Sequence, residues 1–287
     1  MQEFIEKAKV LAEALPYIRE FSGKTIVVKY GGSAMDDPAM SRLTAQDVVL
    51  MKYVGMNPVV VHGGGPHISA TLKKLDVESH FHNGLRVTSQ EAVQVVEMVL
   101  AGSVNKNIVS LINQAGGSAL GLCGKDANLL HAKKVELPDG VDVGQVGQIE
   151  MVNASILNVL CEAETIPVIA PIATDSEGQT WNVNADTAAS EIAGALKAEK
   201  LVFMTDTPGL LRDVNELSSL IHQLKVSEIQ ELTDRGVIAG GMIPKVAACQ
   251  NALEHGVQKA HIIDGRVTHA LLLEIFTQSG LGTLVMH

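Results

Sequence analysis

The residues best suited to chemistry are two amides and a carboxylate in one short segment, Asn182-Val183-Asn184-Ala185-Asp186. The small residues Thr187-Ala188-Ala189-Ser190 follow, and they predict a helix that begins at this segment. Amide groups can bind polar groups of a ligand, and a carboxylate can hold a lysine ammonium. The segment therefore suits a site to which distant parts of the chain contribute.

Two upstream segments combine a basic residue with glycines, and a third lies downstream. Lys29-Tyr30-Gly31-Gly32 and His62-Gly63-Gly64-Gly65 each end a run of β-branched residues, where backbone N–H groups can approach phosphate oxygens. Carboxyl ends of parallel strands are where open sheets bind ligands. Gly240-Gly241 precedes a predicted helix with Lys245 in or next to its first turn. Together these segments indicate phosphoryl transfer.

Two common nucleotide motifs do not fit. Gly23-Lys24-Thr25 resembles the end of a P-loop, but the first glycine of that motif would fall at Ile18, and the segment precedes its strand. The three glycines after His62 lack the spacing of the dinucleotide fingerprint, which weighs against a nicotinamide-dependent dehydrogenase. A purely structural turn remains the alternative for these glycines.

Composition predicts a compact α/β protein. The 287 residues are 46% hydrophobic, with 26 glycines and only five Phe, three Tyr and one Trp, which is typical of aliphatic parallel strands under helices. The net charge of −10 excludes nonspecific binding to nucleic acid or to anionic membranes, because both need a basic surface. An anionic substrate must therefore be held by local lysines and backbone amides.

The cysteines and the apolar runs indicate the cellular setting. Cys123, Cys161 and Cys249 are isolated and lack metal-ligand spacing, which predicts a reduced, cytoplasmic chain without disulfides or a metal site. No apolar run reaches the length of a membrane span, and the N-terminus lacks the pattern of a signal peptide. We expect neither a transmembrane helix nor a membrane partner.

The elements that must position the site are predicted from periodicity. Residues 1–21 form an amphipathic helix, and Pro16 predicts a kink or break within it. This helix packs either on its own domain or on another subunit. Residues 91–115 predict two helices separated near 101–103, and Thr88 and Glu91 have the spacing of a capping box. Turn-rich alternation over 125–152 and 172–183 predicts inserted β-hairpins.

Five motifs, in this order over nearly the whole chain, resemble the N-acetyl-L-glutamate kinases of the amino acid kinase superfamily. They are Lys29-Tyr30-Gly31-Gly32, His62-Gly63-Gly64-Gly65-Pro66, Asn83-Gly84-Leu85-Arg86-Val87-Thr88, Asn182-Val183-Asn184-Ala185-Asp186 and Gly241-Met242-Ile243-Pro244-Lys245. The resemblance implies a three-layer αβα sandwich around a mainly parallel central sheet with inserted β-hairpins. It also implies an arm at 1–21, an N-terminal lobe at 22–178 for the amino acid, and a C-terminal lobe at 179–287 for ATP.

The resemblance further implies an activity and a set of site residues. The chain would use ATP, with Mg²⁺ bound to it, to phosphorylate the side-chain carboxylate of N-acetyl-L-glutamate in arginine synthesis. The implied catalytic residues are Lys29, Lys245 and Asp186. The implied amino-acid site consists of Gly64, Gly65, Arg86 and Asn182. The implied ATP site consists of Lys29, Gly31, Gly32, Asp206, Thr207, Pro208, Gly209, Leu210, Leu211, Val237, Ile238, Ala239 and Lys245. No protein ligand for the metal is expected.

The two ends of the chain resemble the arginine-inhibited members of the family. In those members paired N-terminal helices link three dimers into a hexameric ring, and arginine binds between that helix and the C-terminal lobe. The corresponding effector residues are Tyr17, His269, Glu274 and Gly280. The resemblance leaves open a dimer or a hexamer, and whether a nitrogen-signalling protein of the PII type binds.

Two other readings of the same residues remain. One is a kinase of a different amino acid with this fold, such as glutamate or aspartate, because specificity for the acetyl group does not follow from spacing. The other is a non-catalytic arginine sensor or partner-binding scaffold, which the presence of Lys29, Lys245 and Asp186 disfavours.

Overall fold

A computed structural model gives the architecture and describes residues 1–277 and 280–287. The helices are α1 (Gln2–Phe21), α2 (Pro38–Tyr53), α3 (Gly65–Lys74), α4 (Gln90–Glu97), α5 (Asn105–Gln114), α6 (Ser155–Glu162), α7 (Ala185–Ala195), α8 (Ile229–Asp234), α9 (Met242–Glu254) and α10 (Ala270–Ile275). The strands are β1 (Thr25–Tyr30), β2 (Asn57–His62), β3 (Phe81–His82), β4 (Leu85–Arg86), β5 (Ala119–Cys123), β6 (Leu130–Lys134), β7 (Gly147–Val152), β8 (Ile166–Ala170), β9 (Ile172–Thr174), β10 (Thr180–Asn182), β11 (Lys200–Thr205), β12 (Gln223–Lys225), β13 (Lys259–Asp264) and β14 (Thr283–Met286).

Eight strands form one central sheet in the order β12-β14-β13-β11-β1-β2-β8-β5. The strands from β13 to β5 are parallel, and β14 is antiparallel to β13. The chain leaves β1 toward β2 on one side, and the later pair β11 and β13 extends the sheet on the other. The carboxyl ends of β2, β1 and β11 therefore meet at a topological switch point, the place where such sheets bind ligands.

Alternation along the strands separates two cores. Val27 and Phe203 point toward the layer that contains α7 and α9, whereas Val28 and Val60 point toward the layer that contains α2, α4 and α5. The aliphatic β-branched runs seen in the sequence are thus buried on both faces, as parallel strands require. The three-layer αβα fold with a mainly parallel sheet is confirmed.

The two predicted insertions are present as hairpins. β6 pairs antiparallel with β7, and β9 pairs antiparallel with β10. These four strands form a second sheet in the order β10-β9-β6-β7, and a small antiparallel pair, β3 with β4, lies separately. β10 ends at Asn182, so the second sheet leads directly into the start of α7. The lobe boundary at 178/179 stays a prediction, and both proposed lobes contribute strands to the central sheet.

α1 continues through Pro16, so the helix is not broken there, and the kink stays a prediction. Two other local predictions were wrong. The expected separation near 101–103 is instead a π-helical segment, Met98–Val104, which joins α4 and α5 into one helical run. The cap of α4 is Ser89, whose hydroxyl accepts a hydrogen bond from the Ala92 N–H at 3.1 Å, rather than Thr88.

The run Gln90–Gln114 is long and apolar enough to cross a membrane by length and composition alone. Its residues Val96, Ile108 and Ile112 are buried in the core beside the central sheet. The run is therefore accounted for as a core helix of the α/β fold.

Candidate active site

Lys29 is placed by the alternation of β1. Its side chain lies on the same face as Val27, toward α7, and its Nζ atom is 2.9 Å from Asp186 Oδ1. Asp186 is in the first turn of α7, where Asn184 caps the helix by accepting hydrogen bonds from the N–H groups of Asp186 and Thr187 at 2.8 and 3.2 Å. A carboxylate is favoured in a first helical turn because of the helix dipole. The segment thus forms the predicted helix start.

Lys245 reaches the same carboxylate from α9. Its Nζ donates a hydrogen bond of 2.8 Å to Asp186 Oδ2, so one carboxylate binds both lysines. Asp186 is only 5% exposed. Burial by itself raises the pKa of this carboxyl, but the charges of Lys29 and Lys245 and the hydrogen bond from Lys245 outweigh burial and hold its pKa below the usual range. Asp186 is therefore ionised and orients two ammonium groups.

The two oxygens of Asp186 are not equivalent. Oδ1 has no hydrogen-bond donor among the described residues, although the Lys29 ammonium lies 2.9 Å away, because that approach lacks hydrogen-bond geometry. The Lys29 ammonium pairs with Oδ1 by charge, and with three N–H donors it can still bind a further acceptor.

The turn after β1 needs its glycines. A Cβ atom added to Gly31 would lie 2.6 Å from Lys29 Nζ, so the missing side chain leaves room for the ammonium. Gly32 has φ +73°, and a Cβ there would collide with the Asp206 carboxylate. The turns after the neighbouring strands β1 and β11 are therefore in direct contact at the edge of the sheet.

Arg86 lies beside the glycine loop after β2. Its guanidinium donates to Gly65 O at 3.0 Å and to the hydroxyls of Ser69 and Ser79, and it lies 4.6 Å from the centre of the Phe81 ring. No carboxylate of the described residues pairs with it, and burial lowers its pKa. A buried guanidinium without an acidic partner favours an anionic ligand.

A cavity of about 170 Å³ joins these groups. Gly64, Gly65, Arg86 and Asn182 all line it, so the four residues predicted for the amino acid share one space. The Asn182 amide also donates to Thr88 Oγ1 at 3.2 Å, which holds it against the loop before α4. Asn184 and Ala185, at the start of α7, also line the cavity, and Asp186 is the next residue along the chain.

The predicted nucleotide residues divide by exposure. Asp206 and Thr207 are exposed after β11, and the Thr207 N–H donates to Thr205 Oγ1 at 3.0 Å. The side chains of Leu210 and Ile238 are buried in the core, so any nucleotide contact from these two must come from the backbone. The Leu210 N–H is already bound, to Thr283 Oγ1 at 2.8 Å. The ATP-site assignment stays a prediction.

The proposed effector residues do not all lie together. Tyr17, Glu274 and Gly280 line a second cavity, of about 200 Å³, between the end of α1 and the strands β13 and β14. His269 does not line it; its Nδ1 atom lies 2.6 Å from Asp47 Oδ1 instead. His261 lines this cavity instead, and its Nδ1 atom lies 2.6 Å from Glu274 Oε1. The structure thus brings three of the four proposed effector residues together and places His269 elsewhere, and the effector assignment stays a prediction.

Sequence reasoning missed the residues that support these sites. Ser69 and Ser79 hold Arg86, and His261 with Lys200 lines the second cavity. A signal existed for His261, because this histidine interrupts an otherwise apolar predicted strand at 260–263. The two serines occur in polar segments and carry no comparable signal, because their role depends on where Arg86 folds.

Comparisons with known proteins agree with this geometry. A sequence model of the amino acid kinase family matches residues 24–264. An acetylglutamate kinase from Caldanaerobacter subterraneus subsp. tengcongensis is 56% identical over 281 residues, which are 98% of this chain and 93% of that protein. An acetylglutamate kinase from Acaryochloris marina is 54% identical, with 98% of each chain covered.

Solved structures give the same result for the fold. An N-acetylglutamate synthase from Neisseria gonorrhoeae, complexed with coenzyme A and N-acetyl-glutamate, superposes with a TM-score of 0.86 at 26% identity. That match covers 98% of this chain but only 63% of the synthase chain. A carbamate kinase from Giardia lamblia bound to AMP-PNP has a TM-score of 0.67 at 16% identity, with 92% and 98% covered. With a family match over most of its length and relatives more than half identical to it, this chain belongs to the amino acid kinase family.

Proposed function

We propose that this chain transfers the γ-phosphoryl group of ATP to the side-chain carboxylate of N-acetyl-L-glutamate, an early step of arginine biosynthesis. One observation carries the proposal: a single buried carboxylate, Asp186, binds two lysines from distant segments, and it directly follows Asn184 and Ala185, which line the cavity of the Arg86 guanidinium. The acetylglutamate kinases that match nearly the whole chain support the choice of substrate.

The chemistry needs positioning more than proton transfer. A carboxylate is already ionised at neutral pH and can attack phosphorus without a general base, so the obstacle is the repulsion between two anions. Lys29 and Lys245 neutralise the charge that spreads over the transferring phosphoryl group, and Asp186 fixes their positions. Gly31 and Gly32 donate backbone hydrogen bonds to the phosphate. No residue of the chain has to exchange a proton.

The cavity supplies the acceptor end. Arg86 binds the α-carboxylate of the amino acid through its planar fork, and Asn182 with the N–H groups of Gly64 and Gly65 binds the remaining polar groups. This orientation directs the side-chain carboxylate toward the two lysines. Binding in that geometry turns a two-body encounter into a reaction within one complex.

ATP lies at the carboxyl ends of β1 and β11. The walls of the ATP site are formed by 206–211 and 237–239, and the phosphates of ATP lie near Lys29 and Lys245. Mg²⁺ would come with ATP and would neutralise part of the phosphate charge, and no protein ligand is assigned to it, because such ions keep most of their water. The described residues hold no group of three His, Cys, Asp or Glu arranged for a metal. A cytoplasmic location, where ATP is available, is part of the proposal.

Arginine is the proposed inhibitor, bound in the second cavity. Its lining carries both signs of charge, with Lys200 and Lys259 beside Glu20 and Glu274, which matches an amino acid with a carboxylate and a guanidinium. The buried Nε2 atom of His261 has no hydrogen-bond partner among the described residues, as expected where a ligand is bound. The N. gonorrhoeae synthase complexed with L-arginine, 25% identical with a TM-score of 0.81, supports the choice.

A homo-oligomer is proposed for α1. Leu11 is 73% exposed, and Val10 and Leu15 are exposed beside it, so an apolar stripe of α1 faces solvent in the single chain. Three dimers that pair with one another through their α1 helices form a hexamer, which is a trimer of dimers. Deleting residues 1–20 should give active, arginine-insensitive dimers, and a hexamer that survives the deletion would exclude a linking role for α1.

The deciding test is ATP consumption with N-acetyl-L-glutamate, glutamate or aspartate, each with and without arginine. Turnover with acetylglutamate alone, suppressed by arginine, supports both parts of the proposal. Turnover with another amino acid would retain the kinase but change its substrate. A folded protein without turnover on any acceptor would point to the arginine sensor.

A further inference from the structure

His62 ends β2 and is fully buried directly before the glycine loop of the substrate cavity. Its Nδ1 atom is 2.8 Å from the Gly63 carbonyl oxygen, and its Nε2 atom is 3.1 Å from the Asn105 side-chain nitrogen. The mechanism above does not use this imidazole. Both ring nitrogens are nevertheless engaged, and one of them holds the loop itself.

The orientation of the Asn105 amide is determined by its other contacts. Its Nδ2 atom is 2.9 Å from Val168 O, which can only accept, and its Oδ1 atom is 3.0 Å from Lys106 Nζ, which can only donate. The NH2 group of Asn105 therefore faces His62. Nε2 of His62 must accept a hydrogen bond from it, so the ring proton lies on Nδ1 and is donated to the Gly63 carbonyl.

Holding this carbonyl also aims the next N–H group. In a trans peptide the Gly63 C=O and the Gly64 N–H point in opposite directions, and the chain has no cis bonds among the described residues. The Gly64 carbonyl accepts from the Ile68 N–H at 3.0 Å, and the Gly65 carbonyl accepts from Arg86 at 3.0 Å. All three loop carbonyls are thus bound, while the Gly64 N–H has no acceptor among the described residues, and Gly64 lines the cavity.

The π-helical segment supports this arrangement from the other side. A Cβ atom added to Gly64 would lie 2.6 Å from Leu100 Cδ2 and 3.5 Å from Val104 Cγ2, so the loop lies tightly against this segment. Asn105 follows the segment directly. A π-segment inserts an extra residue into a helical turn and is frequent at functional sites. Here it presents Leu100 to Gly64 and Asn105 to His62 in the same region.

We propose that His62, as the neutral imidazole with its proton on Nδ1, is a positioning residue that orients the Gly63–Gly64 peptide so that its N–H group binds the anionic substrate. The inference rests on the proposed substrate site. Burial lowers the pKa of His62 to about 4, which agrees with a neutral ring at the pH at which the enzyme works.

The test is a pair of amide variants that separate the two ring nitrogens. In His62→Asn the short amide nitrogen can occupy the place of Nδ1 and donate to Gly63 O, while Asn105 keeps its bond to Val168 O. In His62→Gln the longer amide can replace only Nε2. Both substitutions bury one amide in place of one imidazole, so the variants are matched in polarity.

Kinetics then give the first readout. Since one directed donor is worth about 10²–10³ in turnover, misdirecting the Gly64 N–H in His62→Gln should reduce kcat/KM for N-acetyl-L-glutamate by about 10- to 100-fold. The KM for ATP should stay within about twofold, and His62→Asn should recover most of the loss. Equal losses of kcat/KM in both variants, or a loss of kcat/KM for ATP as large as that for N-acetyl-L-glutamate, would assign His62 a purely structural role.

The second readout needs no substrate. Nitrogen-15 NMR of the wild-type imidazole should show a protonated Nδ1 and an unprotonated Nε2, unchanged between pH 6 and pH 8. A proton on Nε2 would overturn the inference. If wild-type protein does not turn over acetylglutamate, the proposed function fails, yet the position of the ring proton still decides whether His62 holds the Gly63 carbonyl.

Discussion

Asp186 accepts a hydrogen bond of 2.8 Å from Lys245, which lies 59 residues further along the chain. The bond joins the first turn of α7 to the first turn of α9, and Lys29 adds a third element, the end of β1. Each of these positions lies at the ligand-binding edge of the parallel sheet. The fold thus concentrates two positive charges where a phosphoryl group can be transferred, although the chain as a whole is acidic.

Replacing either lysine tests this arrangement. Lys29→Ala and Lys245→Ala should each lower kcat by about two to four orders of magnitude, by analogy with the loss of other preorganised charge donors. The matched control is Lys24→Ala, because Lys24 lies just before β1 in a half-exposed ion pair with Glu199. Steady-state kinetics on folded proteins checks the prediction, and unchanged turnover in either site variant would remove that lysine from the mechanism.

Arg86→Lys should separate charge from geometry. Lysine keeps the positive charge but cannot reproduce the fork that contacts Gly65 O, Ser69 and Ser79 at once. A bond to a charged group contributes about 1.5–3 kcal/mol, so the KM for N-acetyl-L-glutamate should rise by about 10- to 100-fold. The KM for ATP should not change. Arg235→Lys, directly after α8 in an exposed ion pair with Glu231, should leave both constants unaltered.

Gly32→Ala should impair phosphate binding beyond the cost of backbone strain. Gly32 has φ +73°, and an added methyl group would collide with Asp206. Gly23 has φ +75° with no atom within 4 Å of an added Cβ, so Gly23→Ala carries the same strain without the collision. Both variants should lose about 1–2 kcal/mol of stability, but only Gly32→Ala should lower kcat/KM for ATP. Equal kinetics in the two variants would contradict a role for this turn in ATP binding.

The layers of the fold could be predicted from the sequence because burial of both faces of the sheet gives its strands an aliphatic pattern. Runs such as 58–61 are aliphatic on both faces of the sheet, and Asp37 with Pro38 marks the start of α2 as an N-cap followed by an N1 proline. The two lysines that meet at Asp186 could be singled out in the sequence because glycines lie next to them, where backbone N–H groups can approach a phosphate. These signals are local, so a single sequence carries them.

What the sequence did not reveal depends on contacts between distant segments. His269 and His261 are eight residues apart, and only the register of β13 beside α10 decides that His261 meets Glu274 while His269 meets Asp47. The π-segment carries no characteristic residue pattern, because it depends on the packing of Leu100 and Val104 against the distant Gly64. Periodicity predicted a break there, since a wider turn shifts the apolar pattern.

Glu274→Gln should weaken inhibition by arginine while leaving basal turnover intact. Glu274 accepts from the Leu281 N–H at 2.8 Å and lies 2.6 Å from His261, away from the phosphoryl site. Glutamine keeps an acceptor for Leu281 but removes the charge available to a guanidinium, so the arginine concentration for half inhibition should rise by about tenfold or more. Glu254→Gln, on the exposed side of α9, is the control. Unchanged inhibition would place the effector elsewhere.

The buried His62 should make the protein sensitive to acid. Its pKa is lowered from 6.5 to about 4 by burial, so between these pH values the unfolded chain binds a proton that the folded chain does not. The corresponding stability is complete above pH 6.5 and is lost as the pH falls toward 4, by about 3 kcal/mol in total. His62→Asn has no titrating ring, so the difference in unfolding free energy between wild type and this variant should shrink by that amount over the same range.

Denaturant titrations at several pH values measure this difference, and the exposed His80→Asn serves as a control that should follow wild type. A difference that does not change with pH would mean that His62 is protonated in the folded protein, contrary to the hydrogen bond it accepts from Asn105.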